Sequence, residues 1–267
     1  MAEQPLIPPR GKVNLADYSP DYTGSWDRES AQEYVQMLRE QLSVLQNKLY
    51  ADGRHAVLVI LQAMDAGGKD GTIRSIFTGV SPQGVEVTSF KVPTEEERSR
   101  DFLLRVHKRV PRKGMIGVFN RSHYEDVLVA RVDGLVAESV WRKRYDQINE
   151  FEELLTESGT TILKFFLHIS KEEQKKRFEE RLTDPGKHWK FSLGDLEVRK
   201  RWDLYMRAYE DVLEKCNRPH APWHIVPANA KWYRDLVVME TLVQALARLP
   251  LRFPLAEAGI ENIVISD

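Results

Sequence analysis

A short apolar run that leads through a glycine-rich turn into a helical pattern constrains this chain more than any other stretch. Residues 57–61 are apolar and mostly β-branched, as expected of a buried strand. Gly67, Gly68 and Gly71 follow, and a helical pattern resumes at once. The first N–H groups of a helix have no partner within it, and the helix dipole favours negative charge there. The stretch therefore predicts a strand, a loop and a helix that together bind an anion such as phosphate.

The glycine turn matches the phosphate loop G-x-x-x-x-G-K-[ST] only in part. Gly68 and Lys69 fit the pattern, whereas Ala63 replaces the first glycine and Asp70 replaces the Ser or Thr. An ordinary strand-to-helix turn with a surface lysine is the alternative. Asp65 and Asp70 flank the lysine, and such carboxylates are expected where Mg²⁺ bridges protein and phosphates. The predicted phosphate-binding residues are Ala66, Gly67, Gly68, Lys69, Asp70, Gly71 and Thr72.

Strand and helix patterns alternate along the rest of the chain. An extended, proline-containing N-terminal arm over residues 1–27 precedes amphipathic helices predicted around 31–50 and 195–215. Alternation of this kind predicts an α/β fold, with a doubly wound, mostly parallel five-stranded sheet flanked by helices in one domain, 1–267. Ligands of such sheets bind at the carboxyl ends of the strands. The predicted strands end near Ile60, Phe90, Phe119, Ile169 and Val226, and the loops after them are expected to share one crevice.

A polar segment, residues 120–126, follows the third predicted strand. So many polar groups at a strand end are costly unless something pairs with them. Arg121 suits bidentate contact with phosphate, and Asp126 suits a metal ion. A structural salt-bridge cluster is the alternative, and His123 taken singly is more typical of a structural histidine than of a base.

Basic residues crowd around a break between two predicted helices, at about 183–195. Arg177 and Arg181 are four residues apart and so lie on the same helix face, and Lys187 and Lys190 fall in the break. Nearby carboxylates offset part of this charge, so a solvated helix face is the alternative. A Pro-Gly break beside a phosphate site predicts a helical lid that excludes water and clamps a phosphoryl group during transfer.

Composition limits the class of protein. The 267 residues carry a formal net charge of −1, with 42% hydrophobic and 30% charged residues, which is typical of soluble globular proteins. Cys216 is the single cysteine, which excludes an intramolecular disulfide and favours a cytoplasmic location. No apolar run approaches the roughly 20 residues that span a bilayer, and we expect neither a membrane nor a nucleic acid as partner. Local basic patches must therefore attract any polyanionic ligand.

The glycine loop (residues 65–71), the polar segment after residue 119 and the basic break together resemble the polyphosphate kinase 2 family, over about residues 52–232. The polar segment departs from the Asp-Arg-Ser-Trp-Tyr-Asn-Arg of many members, and in this it resembles the class III branch. The resemblance implies a P-loop kinase fold similar to that of thymidylate kinase. It also implies Mg²⁺-dependent phosphoryl transfer between inorganic polyphosphate and nucleoside mono- and diphosphates, AMP to ADP and ADP to ATP, with Mn²⁺ as the alternative ion.

The resemblance further implies roles for particular residues. The loop would hold the terminal phosphates of the donor, while the lysine and the arginines neutralise charge during transfer. The implied catalytic residues are Asp65, Lys69, Arg121, Asp126, Arg177 and Arg181, with Asp65 and Asp126 as the Mg²⁺ ligands. The residues expected to contact the acceptor nucleotide are Asn120, Arg121, Ser122, His123, Tyr124 and Glu125, and Lys187 and Lys190 belong to the lid.

The sequence leaves two other functions open. An ATP-dependent nucleoside monophosphate kinase of the thymidylate kinase type would use the same site with ATP as donor. A non-catalytic module would bind a polyanion or nucleotide without turnover, although the carboxylates beside Lys69 argue against it. The predicted amphipathic helices carry enough apolar surface for a homo-oligomer, but burial within one subunit explains them equally well.

Overall fold

A computed structural model of the chain describes residues 7–8, 11–260 and 263–265; the remainder of the predicted arm and of the C-terminus lies outside the described residues. Over these residues the strands are β1 (Ala56–Gln62), β2 (Val85–Ser89), β3 (Ile116–Asn120), β4 (Thr160–His168) and β5 (Trp223–Pro227). The α-helices are α1 (Arg28–Asp52), α2 (Lys69–Phe77), α3 (Glu95–Arg98), α4 (Leu104–His107), α5 (Val129–Val132), α6 (Glu138–Glu157), α7 (Lys171–Thr183), α8 (Leu193–Lys200), α9 (Trp202–Lys215) and α10 (Lys231–Arg248). Single 3₁₀ segments lie at Leu15–Asp17, Pro82–Gly84, His123–Asp126 and Pro185–Lys190.

The strands form one parallel sheet in the order β2-β3-β1-β4-β5. Strand β1 lies at the centre, where Val59 pairs with Val118 of β3 and Leu163 of β4. Every residue of β1 is buried, which explains its uninterrupted apolar sequence, because a parallel strand is covered on both faces. The predicted five-stranded α/β fold is thus confirmed, and the glycine loop leaves the sheet at its centre.

Helices cover both the sheet and each other. Helix α1 begins after Asp27, whose side chain accepts a hydrogen bond from the Ser30 amide, and it ends at Gly53 in the left-handed conformation, φ +66°. It packs against α10, while α6 packs against β4. None of the helices in the described part of the chain is both long and apolar enough to cross a bilayer.

One predicted helix is interrupted in the structure. The helix predicted over 195–215 breaks at Arg201, which ends α8 and precedes α9. The two halves have different surroundings: α9 buries an aromatic face with Tyr205 and Tyr209, whereas every residue of α8 is at least partly exposed. Apolar spacing alone did not reveal this change of environment.

Candidate active site

The loop between β1 and α2 adopts an unusual backbone conformation. Ala66 and Gly68 both have positive φ values, +61° and +103°. The carbonyl oxygen of Asp65 accepts a hydrogen bond from Gln174 Nε2 (2.9 Å), and that of Ala66 accepts one from Arg177 Nη1 (3.0 Å). These loop carbonyls are therefore turned toward α7 and neutralised there, which removes two groups that would repel an anion.

Two glycines in the loop are required by close packing. A Cβ on Gly67 would lie 2.5 Å from Ala63 Cβ and 2.8 Å from the Met64 carbonyl oxygen. A Cβ on Gly68 would lie 2.0 Å from Nη1 of Arg234, a buried residue of α10. Residues of α7 and α10 therefore pack against the loop and hold it in place. Thr72 is also turned inward, because its hydroxyl donates to Asp235 Oδ1 (3.2 Å).

Lys69 begins α2 with its side chain buried beneath the loop. Its Nζ donates to the carbonyl oxygen of Ala63 at 3.0 Å. Burial, reinforced by the positive charge of Arg121, lowers the pKa of Lys69 to about 8, although Asp65 and Glu125 oppose the shift. The ammonium group therefore lies among the charged side chains of both motifs.

Arg121 connects the polar segment with the glycine loop. Its Nη2 donates to Asp65 Oδ1 at 2.7 Å, and its Nη1 lies 3.6 Å from Glu125 Oε2. Asn120 Nδ2 donates to Asp70 Oδ1 at 2.6 Å. Because β1 and β3 are neighbours in a parallel sheet, their carboxyl ends meet and the two motifs form one cluster.

Glu125, and not Asp126, is the carboxylate of the polar segment that joins this cluster. Burial raises the pKa of Glu125, while the nearby charges of Arg121 and Lys69 lower it. Asp126 faces another way: Arg144 Nη1 of α6 donates to its Oδ1 (3.0 Å) and to its carbonyl oxygen (2.9 Å). In this structure Asp126 pairs with Arg144 while Glu125 contacts Arg121, and the pairing of Asp126 with Asp65 around a metal ion stays a prediction.

His123 and Tyr124, which are predicted to contact the acceptor nucleotide, are directed into the protein in this structure. Both are buried, at 1% and 0% exposure, and both contact Glu152 of α6. Ser122 is buried as well, where its hydroxyl donates to the side-chain oxygen of Gln62 (3.0 Å) and accepts from the Tyr124 amide. The side chains of these three residues are directed into the protein, so they support the segment from its buried side.

The two predicted lid arginines have different partners. Arg177 is buried, and its Nη2 donates to the carbonyl oxygens of Ala228 and Asn229 (2.6 and 3.1 Å). With its bond to Ala66 this makes Arg177 a support of the loop, and its contact with a phosphoryl group during transfer stays a prediction. Arg181 instead donates to the Lys190 carbonyl (2.9 Å) and lies 3.5 Å from Asp195.

The segment predicted to form the lid tip, at about 183–195, is mostly exposed to solvent. Lys187 pairs with Asp184 at 2.9 Å, and both side chains are about half exposed. The ammonium of Lys190 lies 5.0 Å from the centre of the Trp189 ring, a side chain that is 78% exposed. In this conformation the two lysines are held by neighbours within the tip.

Sequence reasoning missed three side chains that face the cluster from α8 and α9. Burial raises the pKa of Asp195, as does the negative charge of Asp65 nearby. Tyr205 and Tyr209 line a cavity of about 140 Å³ together with Asp65, Arg121, Glu125 and Leu128. The S-x-x-D pattern at residues 192–195 indicates a helix start there, and that signal would have placed Asp195 in the first turn of α8.

The carboxylates of the cluster determine which protein ligands a metal ion would have in this site. Among the described residues, no group of three or more His, Cys, Asp or Glu side chains is placed to hold a metal ion. Asp65 and Glu125, which both contact Arg121, supply oxygen ligands of the kind that hard cations prefer. This donor set fits an ion that takes its remaining ligands from phosphates and water.

A glycine loop, a buried lysine and an arginine–carboxylate cluster at the carboxyl ends of a parallel sheet define a phosphate-loop kinase. Comparison with known proteins makes the assignment more specific: residues 25–252 match the family described as polyphosphate kinase 2 (PPK2), and the chain belongs to that family.

Similar proteins cover nearly the whole chain. An AMP/ADP-polyphosphate phosphotransferase from Meiothermus ruber is 53% identical over 97% of this chain and 98% of its own length. An ADP-polyphosphate phosphotransferase from Rhodopseudomonas palustris is 47% identical over 85% and 83%. The crystal structure of polyphosphate kinase 2 from Arthrobacter aurescens TC1 superimposes with a TM-score of 0.94 at 45% identity, covering 98% of this chain and 95% of that one.

Proposed function

We propose that this chain transfers phosphoryl groups between inorganic polyphosphate and adenine nucleotides, taking AMP to ADP and ADP to ATP. The observation that carries the proposal is the ion pair of Arg121 with Asp65 beside the buried Lys69, which joins two motifs in one cluster. The names of the Meiothermus and Rhodopseudomonas relatives support polyphosphate as the partner of the nucleotide. They do not favour the alternative, a monophosphate kinase that uses ATP as donor.

The geometry suits phosphoryl transfer because this reaction asks little covalent chemistry of the protein. Positioning and charge neutralisation dominate. The glycine loop would hold the terminal phosphates of the polyphosphate chain, and Lys69 would neutralise charge that develops on them. Arg121, held by Asp65 and Glu125, would bind the acceptor phosphate, with the nucleotide entering the cavity beside Tyr205 and Tyr209.

Asp65 and Glu125 are the residues that would hold a Mg²⁺ ion in this site. Mg²⁺ is commonly bound through one or two carboxylates together with substrate phosphates and waters. When bound, the ion would neutralise part of the charge on the phosphates being transferred. Mn²⁺ prefers similar ligands and is the alternative.

A homo-oligomer and a cytoplasmic location are also proposed. The homo-oligomer is supported by the exposed apolar side chains Met37, Val44 and Tyr50 on α1.

The test supplies AMP or ADP with long-chain polyphosphate and no ATP, and follows the formation of ADP or ATP by chromatography. We expect transfer by the native chain and a loss of roughly 10²–10³-fold in the Lys69→Ala variant, as for other charge-stabilising groups. Binding without turnover would favour the non-catalytic module. A Lys69→Ala variant with native turnover would remove the glycine loop from the mechanism.

A further inference from the structure

Beneath the polar segment lies a buried network that phosphoryl transfer itself does not use. Its members are His123 and Tyr124 of the 3₁₀ segment, Glu152 of α6 and Lys164 of β4. The side chains of Glu152 and Lys164 are fully buried, and their charged atoms are 2.5 Å apart. Glu152 Oε1 accepts a hydrogen bond from the Tyr124 hydroxyl (2.8 Å) and lies 3.1 Å from His123 Nε2.

The charges of this network are almost completely satisfied. Lys164 Nζ donates its three protons to Glu152 Oε2, to the Tyr124 hydroxyl (2.9 Å) and to the carbonyl oxygen of Cys216 (2.7 Å). Burying two charges is costly, and well-packed apolar residues often stabilise a fold as well as such a pair does. A polar network with this many internal hydrogen bonds does, however, restrict the geometry of the groups that it contacts. Stability alone therefore does not account for the pair.

The position of the network indicates what it fixes. In the sequence, His123 and Tyr124 lie between Arg121 and Glu125. The side chains of Arg121 and Glu125 face Lys69 and Asp65. Arg121 also has a φ of +61°, a conformation that non-glycine residues adopt only when their surroundings enforce it. The side chains of His123 and Tyr124 thus anchor the segment inside the protein, while Arg121 and Glu125 on either side of them face the charged cluster.

We propose that Glu152 and Lys164 are positioning residues for this reaction. By holding His123 and Tyr124, the buried pair sets the Arg121 guanidinium and the Glu125 carboxylate against the glycine loop. The inference rests on the proposed function, because transfer is the activity in which the loss of position would be measured. A displacement of catalytic groups by about 1 Å can lower a rate by as much as 10²-fold.

The first experiment removes both charges at once, because removing one partner leaves the other buried and unpaired. The variant is Glu152→Leu with Lys164→Met, and the control is Asn149→Ala, one turn earlier on α6, where the buried amide donates only to the Lys215 carbonyl (3.0 Å). For folded protein we expect kcat to fall about 10-fold or more in the double variant, with KM for either substrate within about threefold. The control should keep its kcat. A folded double variant with native kcat overturns the proposal.

The second experiment does not depend on the folding of the double variant. Tyr124→Phe removes only the hydroxyl between Lys164 and Glu152, and we combine it with Glu125→Gln in a double-mutant cycle. If the network acts by positioning Glu125, Tyr124→Phe should lower kcat severalfold in the native chain and much less once Glu125 is already lost. Full additivity of the two effects, or native kcat in Tyr124→Phe, would contradict the inference.

These outcomes are distinct from a failure of the proposed function. If the native chain gives no transfer from polyphosphate, the proposed function fails before any variant is compared. If the native chain is active and the network variants are folded and equally active, only the positioning role fails.

Discussion

Glu125 and Asp126 are adjacent in the chain, yet their carboxylates have different partners. Glu125 faces Arg121 and Lys69, whereas Asp126 is held by Arg144. We therefore expect Glu125→Gln to lower kcat/KM by about 10²-fold, as for the loss of a group that acts on developing charge. Asp126→Asn should keep kcat/KM within about threefold. Steady-state kinetics with AMP and polyphosphate compare the two variants. A larger loss of kcat/KM in Asp126→Asn than in Glu125→Gln would place Asp126 in the catalytic cluster.

The charge of Lys69 should set the alkaline limit of activity. Its lowered pKa of about 8 means that the free enzyme loses this positive charge as the pH rises through 8, so phosphate binding should weaken. We expect kcat/KM for polyphosphate to fall by up to about 10-fold per pH unit above that value. Folding stability responds in the opposite direction: between about pH 8 and the normal lysine pKa the unfolded chain binds more protons, so this group's contribution to stability rises with pH.

The control for this pH dependence is Lys69→Arg. Arginine remains charged throughout the accessible range, so the alkaline limb should move to higher pH even if the absolute rate is lower. An unchanged limb in the arginine variant would assign it to another group.

At the scale of elements, the sequence predicted the sheet well and the helical segment over 195–215 poorly. Strands such as β1 and β4 are covered on both faces, and their apolar runs, continuous in β1 and interrupted in β4 by Lys164, therefore predict strands well. The single helix predicted over 195–215 was wrong, because Arg201 separates the exposed α8 from the buried face of α9. Hydrophobic spacing records which residues are buried within one helix, but it does not record a change in the direction of the helix axis.

The site shows the same limit at closer range. Neighbouring strand ends predicted that the glycine loop and the polar segment would meet, and they do so through Arg121 and Asp65. Spacing could not predict which side chains of the segment point outward, because a left-handed residue followed by a 3₁₀ turn follows neither helical nor strand periodicity. Likewise, i,i+4 spacing placed Arg177 and Arg181 on one face but did not identify their partners.

At the scale of the whole molecule, the N-terminal arm is joined to the site through a chain of contacts. The Pro20 carbonyl accepts from the Asn229 amide (3.1 Å), and the Asn229 carbonyl accepts from Arg177, which also holds the glycine loop through Ala66. Leu15 is buried at 4% exposure, and its amide donates to Glu210 of α9 (2.9 Å). The arm thus packs on α9 and on the loop before α10, so it contributes to the core of the domain.

Truncating the buried side chain of Leu15 in the arm should therefore destabilise the entire fold. We expect Leu15→Ala to lower the free energy of unfolding by about 2–5 kcal/mol, the range for leucine truncation in a core. Leu255, which is 98% exposed, provides the matched control, and Leu255→Ala should stay within about 0.5 kcal/mol. Urea denaturation followed by circular dichroism measures both, and kcat of the folded Leu15→Ala enzyme should remain close to native. Equal effects of the two substitutions would mean that the arm lies on the surface without contributing to the core.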